Sequence, residues 1–336
     1  MNAAASYQNK FLLRVENLKV YLPTDRGIAR AVDGVTFELN RGKTLGIVGE
    51  SGCGKSILCR TLLGLLPASA ILGENSGVIY NGEDLVGLSE KAYNKIRAVE
   101  MAMIFQDPLS SLNPFMAIGR QITETLIFHE KMKPDDARHL ALELLQSVGV
   151  PSPVQRVDHY PHQLSGGMRQ RVAIAIALAC EPKLLIADEP TTALDVTVQE
   201  GILDLLCRLQ AEREMAMILV THDLNIAASR AHEIAVMYAG KIVEQAPAAT
   251  LFGNIYMPYT KALTDSIPSL ESPPHTRLNS INGQPPNLRN PITGCAFAPR
   301  CSRARKQCYT ESPPLLPGPD QHHLVACWYP LRGAAS

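Results

Sequence analysis

The eight residues Gly49-Glu50-Ser51-Gly52-Cys53-Gly54-Lys55-Ser56 constrain this chain more than any other stretch. They complete a G-x-x-x-x-G-K-[ST] pattern. Lys43-Thr44-Leu45-Gly46-Ile47-Val48 before it reads as a short buried strand, and Ile57-Leu58-Cys59-Arg60-Thr61-Leu62-Leu63 after it reads as the opening of a helix. Glycines let the backbone curl with its N–H groups inward, and the helix N-terminus adds positive potential where an anion would sit. Lys55 can then reach the outer phosphates, and the Ser56 hydroxyl can ligate magnesium. An incidental Gly-Lys-Ser in a glycine-rich turn would lack the flanking strand and helix, so nucleotide binding is the premise for the rest of the chain.

At 336 residues, 46% of them hydrophobic, the chain can bury one large domain with additional material, or two domains. Lys+Arg and Asp+Glu both number 32, so net charge gives no pull towards nucleic acid or an anionic membrane surface. With aromatic residues at 5%, base-stacking platforms are not indicated either. No apolar run approaches the roughly 20 residues that span a bilayer. The first ten residues lack the basic and apolar regions of a signal peptide, so a cytosolic chain is expected, touching a membrane only through a partner.

Hydrophobic periodicity gives the order of elements. Residues 11–20 and 31–39 alternate apolar and polar residues around the turn formers Pro23-Thr24-Asp25-Arg26-Gly27, predicting two antiparallel strands. Val78-Ile79-Tyr80 before Asn81-Gly82 predicts a strand entering a tight turn, and Ser89 is a candidate helix cap. Residues 99–105 read as a buried strand. From about 107 to 163 the period changes to helical, with Ala137, Ala141, Leu144, Leu145 and Val148 on one face and Gly149 and Pro151 as stop signals. A glycine-rich turn, Leu164-Ser165-Gly166-Gly167-Met168-Arg169-Gln170-Arg171, then opens an alanine-rich helix that Pro182 closes. The strand Lys183-Leu184-Leu185-Ile186-Ala187-Asp188-Glu189 ends in two carboxylates, as a Walker B element would. A helix over 198–211, a strand over 215–220 ending at Thr221-His222-Asp223, and paired strands over 233–238 and 241–244 complete an α/β order with an antiparallel start.

Together these stretches resemble an ATP-binding cassette (ABC) subunit of a transporter. Walker A lies at 49–56, a Q-loop at Gln106, the signature at 164–170, Walker B ending at Asp188-Glu189, a D-loop at Ala193-Leu194-Asp195 and a switch histidine at His222. Phe105-Gln106-Asp107-Pro108, Ser111-Leu112-Asn113-Pro114, Tyr160-Pro161-His162-Gln163-Leu164, the run from Pro190 to Thr197 and Val236-Met237-Tyr238-Ala239-Gly240 are similar to the dipeptide/oligopeptide and nickel importer ATPases. So are Pro258-Tyr259-Thr260-Lys261-Ala262-Leu263 and Gly294-Cys295-Ala296-Phe297-Ala298-Pro299-Arg300-Cys301 in the tail. The resemblance implies a P-loop ABC ATPase core over 1–250 with an antiparallel β subdomain and a helical subdomain over about 107–165. A Pro/Cys-rich extension over 251–336 follows.

The resemblance also implies roles. Glu189 would be the general base, with His222 and Gln106 completing the catalytic set; apart from the set, Glu189 reads as a turn cap and His222 as a strand-end cap. Ser56, Gln106 and Asp188 would serve magnesium and the attacking water. ATP would meet Gly49, Glu50, Ser51, Gly52, Cys53, Gly54, Lys55 and Ser56 on one subunit, and Ser165, Gly166, Gly167, Gln170 and Asp195 presented by a second ATPase subunit. Tyr21, beside the position where the family places an adenine-stacking aromatic, is the candidate for the base. The helical insertion would receive a membrane subunit, although Met132, Leu140 and Leu144 read equally as core. Implied partners are a second, different ATPase subunit, two permeases and an external solute-binding protein, at the cytoplasmic face of the membrane, with peptide the expected solute and nickel the alternative. ABC-type ATPases of DNA repair or translation share the motifs, but they carry long coiled-coil insertions or two cassettes in one chain.

Four of the eight cysteines, Cys295, Cys301, Cys308 and Cys327, crowd into the tail, separated by five, six and eighteen residues. A cytosolic chain argues against a disulfide framework. These separations exceed the usual zinc Cys-x2-4-Cys pairs, while four thiolates suit a [4Fe–4S] cluster, which the resemblance also implies; zinc and no metal remain open. Arg300, Arg303, Arg305 and Lys306 nearby would offset a cluster's charge or form a solvated face. Thirteen of the 24 prolines follow Met257, so 271–290 is expected to be an extended, turn-rich connector rather than a packed domain.

Overall fold

The structure, a computed structural model, describes residues 11–107, 111–192, 194–267, 281–320 and 322–331. Pro108, Ala193 and residues 271–280 of the expected connector lie outside the described residues. In chain order, strands β1 (Phe11–Thr24), β2 (Gly27–Asn40) and β3 (Thr44–Val48) lead through the glycine loop into α1 (Lys55–Leu62). Short strands β4 (Ile71–Leu72), β5 (Gly77–Tyr80) and β6 (Glu83–Asp84) precede α2 (Glu90–Ile96) and β7 (Met101–Ile104). Helices α3 (Ile118–Glu130), α4 (Pro134–Ser147), α5 (Pro153–Arg156) and α6 (Gly166–Ala177) form a block before β8 (Leu184–Asp188) and α7 (Val196–Glu212). Then come β9 (Ala216–Thr221), α8 (Leu224–Arg230), β10 (Glu233–Tyr238) and β11 (Lys241–Pro247). The tail holds α9 (Ala248–Leu251), α10 (Pro258–Asp265), α11 (Lys306–Thr310), β12 (Leu316–Pro317) and β13 (Leu324–Val325).

The chain divides into two units. The first takes the N-terminal segment to Leu39, Thr44–Val86 and everything from Thr221 onward; the second takes Asn40–Lys43 and Gly87–Val220. The cysteine-bearing tail therefore belongs to the same unit as the glycine loop.

In the first unit, β2, β1, β5 and β6 lie side by side, with β4 also on β1. The expected alternation is met: Val35, Phe37 and Leu39 are buried while Thr36 faces out. Asn81-Gly82 makes the two-residue link between β5 and β6, whose antiparallel register pairs Tyr80 with Glu83. A second sheet in this unit runs β12, β13, β11, β10, β3. β3 is buried at every position, as expected of a strand covered on both faces, and it pairs parallel to β10 with Val48 opposite Val236.

The tail packs more than proline content foretells. Residues 281–290 do form neither helix nor strand, as expected of a connector. However, Tyr256, Tyr259, Leu263, Phe297 and Val325 join Val236, Tyr238 and Ala246 of the β10–β11 hairpin in one core cluster. Two-residue strands and an eight-residue helix are too short to carry a periodic signal. Glu244 on β11 completes the attachment: fully buried, its Oε1 accepts from the backbone N–H of Tyr256 at 2.7 Å and Met257 at 3.1 Å, and meets His323 Nε2 at 2.9 Å. These groups replace lost water at Oε1, while Oε2 is buried with no hydrogen-bond partner among the described residues.

In the second unit, β7, β8 and β9 pair in parallel, with Asp188 opposite Val220. The expected α4 face, Ala137, Ala141, Leu144 and Leu145, is buried, and α3, which buries Ile118, Ile122 and Leu126, packs against α4 and α6. Leu144 is thus core, whereas Met132 and Leu140 are only partly covered.

Replacing Glu244 with Ala strands two backbone amides and His323 beneath the tail, at about 1–3 kcal/mol for each donor left unsatisfied. A lower urea midpoint is expected, with the fluorescence of Trp328 in the tail changing first; an unchanged midpoint contradicts this attachment.

Candidate functional site

The glycine loop is shaped by what lies against it. Gly54 has φ +111°, and a Cβ there would fall 2.0 Å from the Ala31 carbonyl oxygen of β2. A Cβ on Gly49 would fall 2.2 Å from the Met237 oxygen of β10. The loop can pass between these strands only as bare backbone. No side chain caps α1, so the positive end of its dipole faces the loop. Lys55 is 4% exposed and folds back, its Nζ donating to Gly49 O at 2.7 Å and Glu50 O at 3.1 Å. A cradle with no room for a Cβ, an uncapped helix start and an ammonium already at the loop mouth fit a polyphosphate and its cation. Burial pushes the Cys53 thiol up, so at neutral pH it is a packing group rather than a nucleophile.

In the second unit, Asp188 closes β8 at 3% exposure, and Glu189 follows in the left-handed region at φ +47°. A glutamate there costs about 1–3 kcal/mol of backbone strain. It is held by Glu189 N donating to Val220 O at 3.0 Å and Thr192 N donating to Glu189 O at 3.2 Å. The bend carries the carboxylate away from the strand axis. Its Oε2 accepts from Gln106 Nε2 at 3.0 Å and Thr192 Oγ1 at 3.1 Å. Gln106 and Glu189, far apart in sequence, are thus brought together. Thr192, within the run from Pro190 to Thr197, joins them through its hydroxyl, a role that its residue type does not signal in the sequence. His222 is exposed in the turn after β9.

The signature forms a second anion-type site. Ser165 caps α6, its Oγ accepting from Met168 N at 3.3 Å, and Asp195 caps α7, its Oδ1 accepting from Val198 N at 3.0 Å. Ser165, Gly166, Gly167, Leu194 and Asp195 line one groove of about 520 Å³. The helices approach so closely that a Cβ on Gly167 would lie 2.7 Å from Val198 Cγ1. Gln170 stands apart from that groove, on the buried side of α6 at 1% exposure.

Tyr21 donates its hydroxyl to Asp33 Oδ1 at 3.0 Å, and the Arg30 guanidinium lies 5.8 Å over its ring. Burial, with Asp33 adding to it, raises its pKa.

The four tail cysteines converge. All are free thiols, and all line one cavity of about 20 Å³ with Phe297, Pro313 and Tyr329. Burial, with Cys295, Cys301 and Cys308 adding to it, pushes the Cys327 thiol up to about 11. Among the described residues, no group of three or more His, Cys, Asp or Glu side chains is placed to hold a metal ion. The four thiols expected as ligands thus line one space about the size of a water molecule, but they are not placed to hold a metal ion. Of the basic residues expected to surround it, Arg300 neither offsets a cluster nor faces solvent. It is buried against Glu50 of the glycine loop.

Known sequences and structures place this geometry. The sequence profile of the ABC transporter family matches residues 32–192, and that of the oligopeptide/dipeptide transporter C-terminal region matches 243–308. The chain is 48% identical to the oligopeptide transport ATP-binding protein OppD of Bacillus subtilis (strain 168), over 93% of this chain and 87% of that one. It is 44% identical to the dipeptide transport ATP-binding protein DppD of Escherichia coli (strain K12), over 96% and 98%. Among solved structures, the dimeric post-hydrolysis state of the ATP-binding cassette MJ0796 bound to ADP and Pi matches with a TM-score of 0.63 and 29% identity, over 70% of this chain and 98% of that one.

Gly54→Ala is expected to abolish ATP binding in an equilibrium titration, because its Cβ would collide with fixed backbone. Cys53→Ala, at the neighbouring position, is expected to keep affinity within about tenfold, since a buried neutral thiol behaves as a small hydrophobe. Equal affinities for the two variants would contradict the cradle.

Proposed function

The chain belongs to the ATP-binding cassette family of transporter ATPases, and on that premise we propose that it hydrolyses ATP to energise import of di- or oligopeptides. Its partners in that role are a second ATPase subunit, two permeases and an external solute-binding protein, and it works peripherally at the cytoplasmic face of the membrane. None of the described helices is long and apolar enough to cross a bilayer. The observation that carries hydrolysis is Glu189, a carboxylate bent off the end of β8 beside Asp188 and oriented by both Gln106 and Thr192.

Phosphoryl transfer asks a protein for positioning and charge stabilisation rather than covalent chemistry. Residues 49–56 bind the β and γ phosphates through loop amides and Lys55. Glu189 accepts the proton of the water that attacks the γ-phosphorus in line, and Gln106 holds both that carboxylate and the water. His222 contacts the γ-phosphate, and Tyr21 meets the adenine. Ser56, Asp188 and Gln106 are the residues that would hold magnesium, which when bound offsets phosphate charge. Ser165, Gly166, Gly167 and Asp195 act on the nucleotide of the second ATPase subunit, so that ATP closes the pair and hydrolysis reopens it, while Gln170, expected beside them, packs on the buried side of α6 instead.

Coupling runs through the helical insertion of the cassette, residues 107–165 of 1–250. Phe115 and Phe128 stand out from it at 90% and 65% exposure, which suits an apolar segment of a permease. The extension from 251 belongs to the unit that carries the glycine loop. Its four cysteines are proposed as ligands of a [4Fe–4S] cluster, supported by four thiols lining one cavity.

Glu189→Gln keeps the side chain's shape but removes the proton acceptor. Turnover is expected to fall by about 10²–10⁴, with ATP affinity nearly unchanged; full activity would remove Glu189 from the mechanism. For the tail, anaerobically purified protein should hold about four irons per chain with matching sulfide, lost in Cys301→Ser and Cys327→Ser. Iron-free protein would end the cluster proposal.

A further inference from the structure

Glu50, the second residue of the phosphate loop, is gripped from two sides by the C-terminal extension. The Arg300 guanidinium meets its carboxylate in two parallel bonds, Nη1 to Oε2 at 2.6 Å and Nη2 to Oε1 at 2.9 Å. From another direction, the Glu50 backbone N–H donates to the Tyr259 hydroxyl at 3.0 Å. Both partners are themselves fixed. The Arg300 side chain is 4% exposed and also donates to Tyr238 Oη at 3.2 Å, Asn282 O at 3.0 Å and Ile281 O at 3.3 Å. Tyr259 is fully buried, its ring centroid 4.4 Å from that of Tyr238 and 5.3 Å from that of Phe297.

The grip reaches the residue that matters. Lys55 Nζ donates to the carbonyl oxygens of Gly49 and Glu50, so the peptide units flanking Glu50 set where the ammonium sits. Bidentate Arg–carboxylate pairs fix geometry as well as charge. Here the charge counts too, because an unpaired Glu50 carboxylate would stand on a loop built for an anion.

We propose that Arg300 and Tyr259 are positioning residues for ATP: the extension holds the phosphate loop in its binding-competent form by fixing Glu50 at its amide and its carboxylate. This rests on the reading of residues 49–56 as the ATP loop. Arg300 lies on the single turn Ala298–Arg300, directly before Cys301 and within the stretch that begins at Cys295. Whatever the four thiols hold therefore bears on the same clamp, although the clamp is complete without it.

The test is the dissociation constant of magnesium-ATP for the full chain, with turnover at saturating ATP in the assembled transporter as the second readout. Arg300→Ala is expected to weaken binding about tenfold, as when only a tenth of the loops stay competent. Saturated turnover should stay within about twofold, the split that marks lost binding rather than lost chemistry. Arg300→Lys should recover part of the affinity. Tyr259→Phe, which keeps the packing and removes only the acceptor, should weaken binding in the same sense, and it remains readable if Arg300→Ala fails to fold. In a Glu50→Ala background, Arg300→Ala should add no further loss. Unchanged affinity in Arg300→Ala and Tyr259→Phe, or losses that add across Glu50 and Arg300, overturns the proposal. Lys55→Ala separates the premises: if that variant still binds ATP, the loop reading fails, and if it alone loses ATP, only the clamp fails.

Discussion

Two carbonyl oxygens, Ala31 O on β2 and Met237 O on β10, press so closely on residues 49–54 that the backbone there has room for hydrogen but not for carbon at Gly49 and Gly54. That exclusion makes the phosphate loop, because a chain that cannot fill the space with side chains must present amides to it. Lys55 then completes the site from within, bonded to the loop's own carbonyls until an anion competes for it. The strands that supply the two oxygens, β2 and β10, are far apart in the first unit's sequence, so the loop's shape is a tertiary property as much as a local one.

The same logic recurs in the second unit. β8 is buried to its last residue, and strain at Glu189 turns the carboxylate out of the strand, where Gln106 and Thr192 orient it. Strained backbone persists only where surrounding bonds over-determine it, and such positions cluster where chemistry is done. The signature groove shows the complementary device. Two helix starts, capped by Ser165 and Asp195, are brought within contact by Gly167 and share one groove.

Most of the cassette was legible because its signals are local and strong. The glycine loop between β3 and α1, the carboxylates ending β8 and the serine before α6 each announce themselves by residue type at a fixed spacing. The tail was less legible. Its elements are too short for periodicity, and what holds it, the buried Glu244 and the aromatic trio Tyr238, Tyr259 and Phe297, joins residues far apart in the chain. Arg300 shows the limit plainly. As one of several basic residues near cysteines it reads as an offset to a cluster's charge or as part of a solvated face, and only the folded chain brings it to Glu50, 250 positions away. The four cysteines were seen as a set from their crowding, but not how tightly the tail closes around them.

In the proposed role this chain drives a peptide importer, with the loop at 49–56 holding ATP and Glu189 hydrolysing it. The most direct measurement is ATP hydrolysis by the chain assembled with its permeases and solute-binding protein in vesicles, with di- and oligopeptides and nickel added in turn outside. A rate that rises with peptide and stays at its basal level with nickel is expected. A rate raised by nickel alone, or one indifferent to every peptide offered, would contradict it.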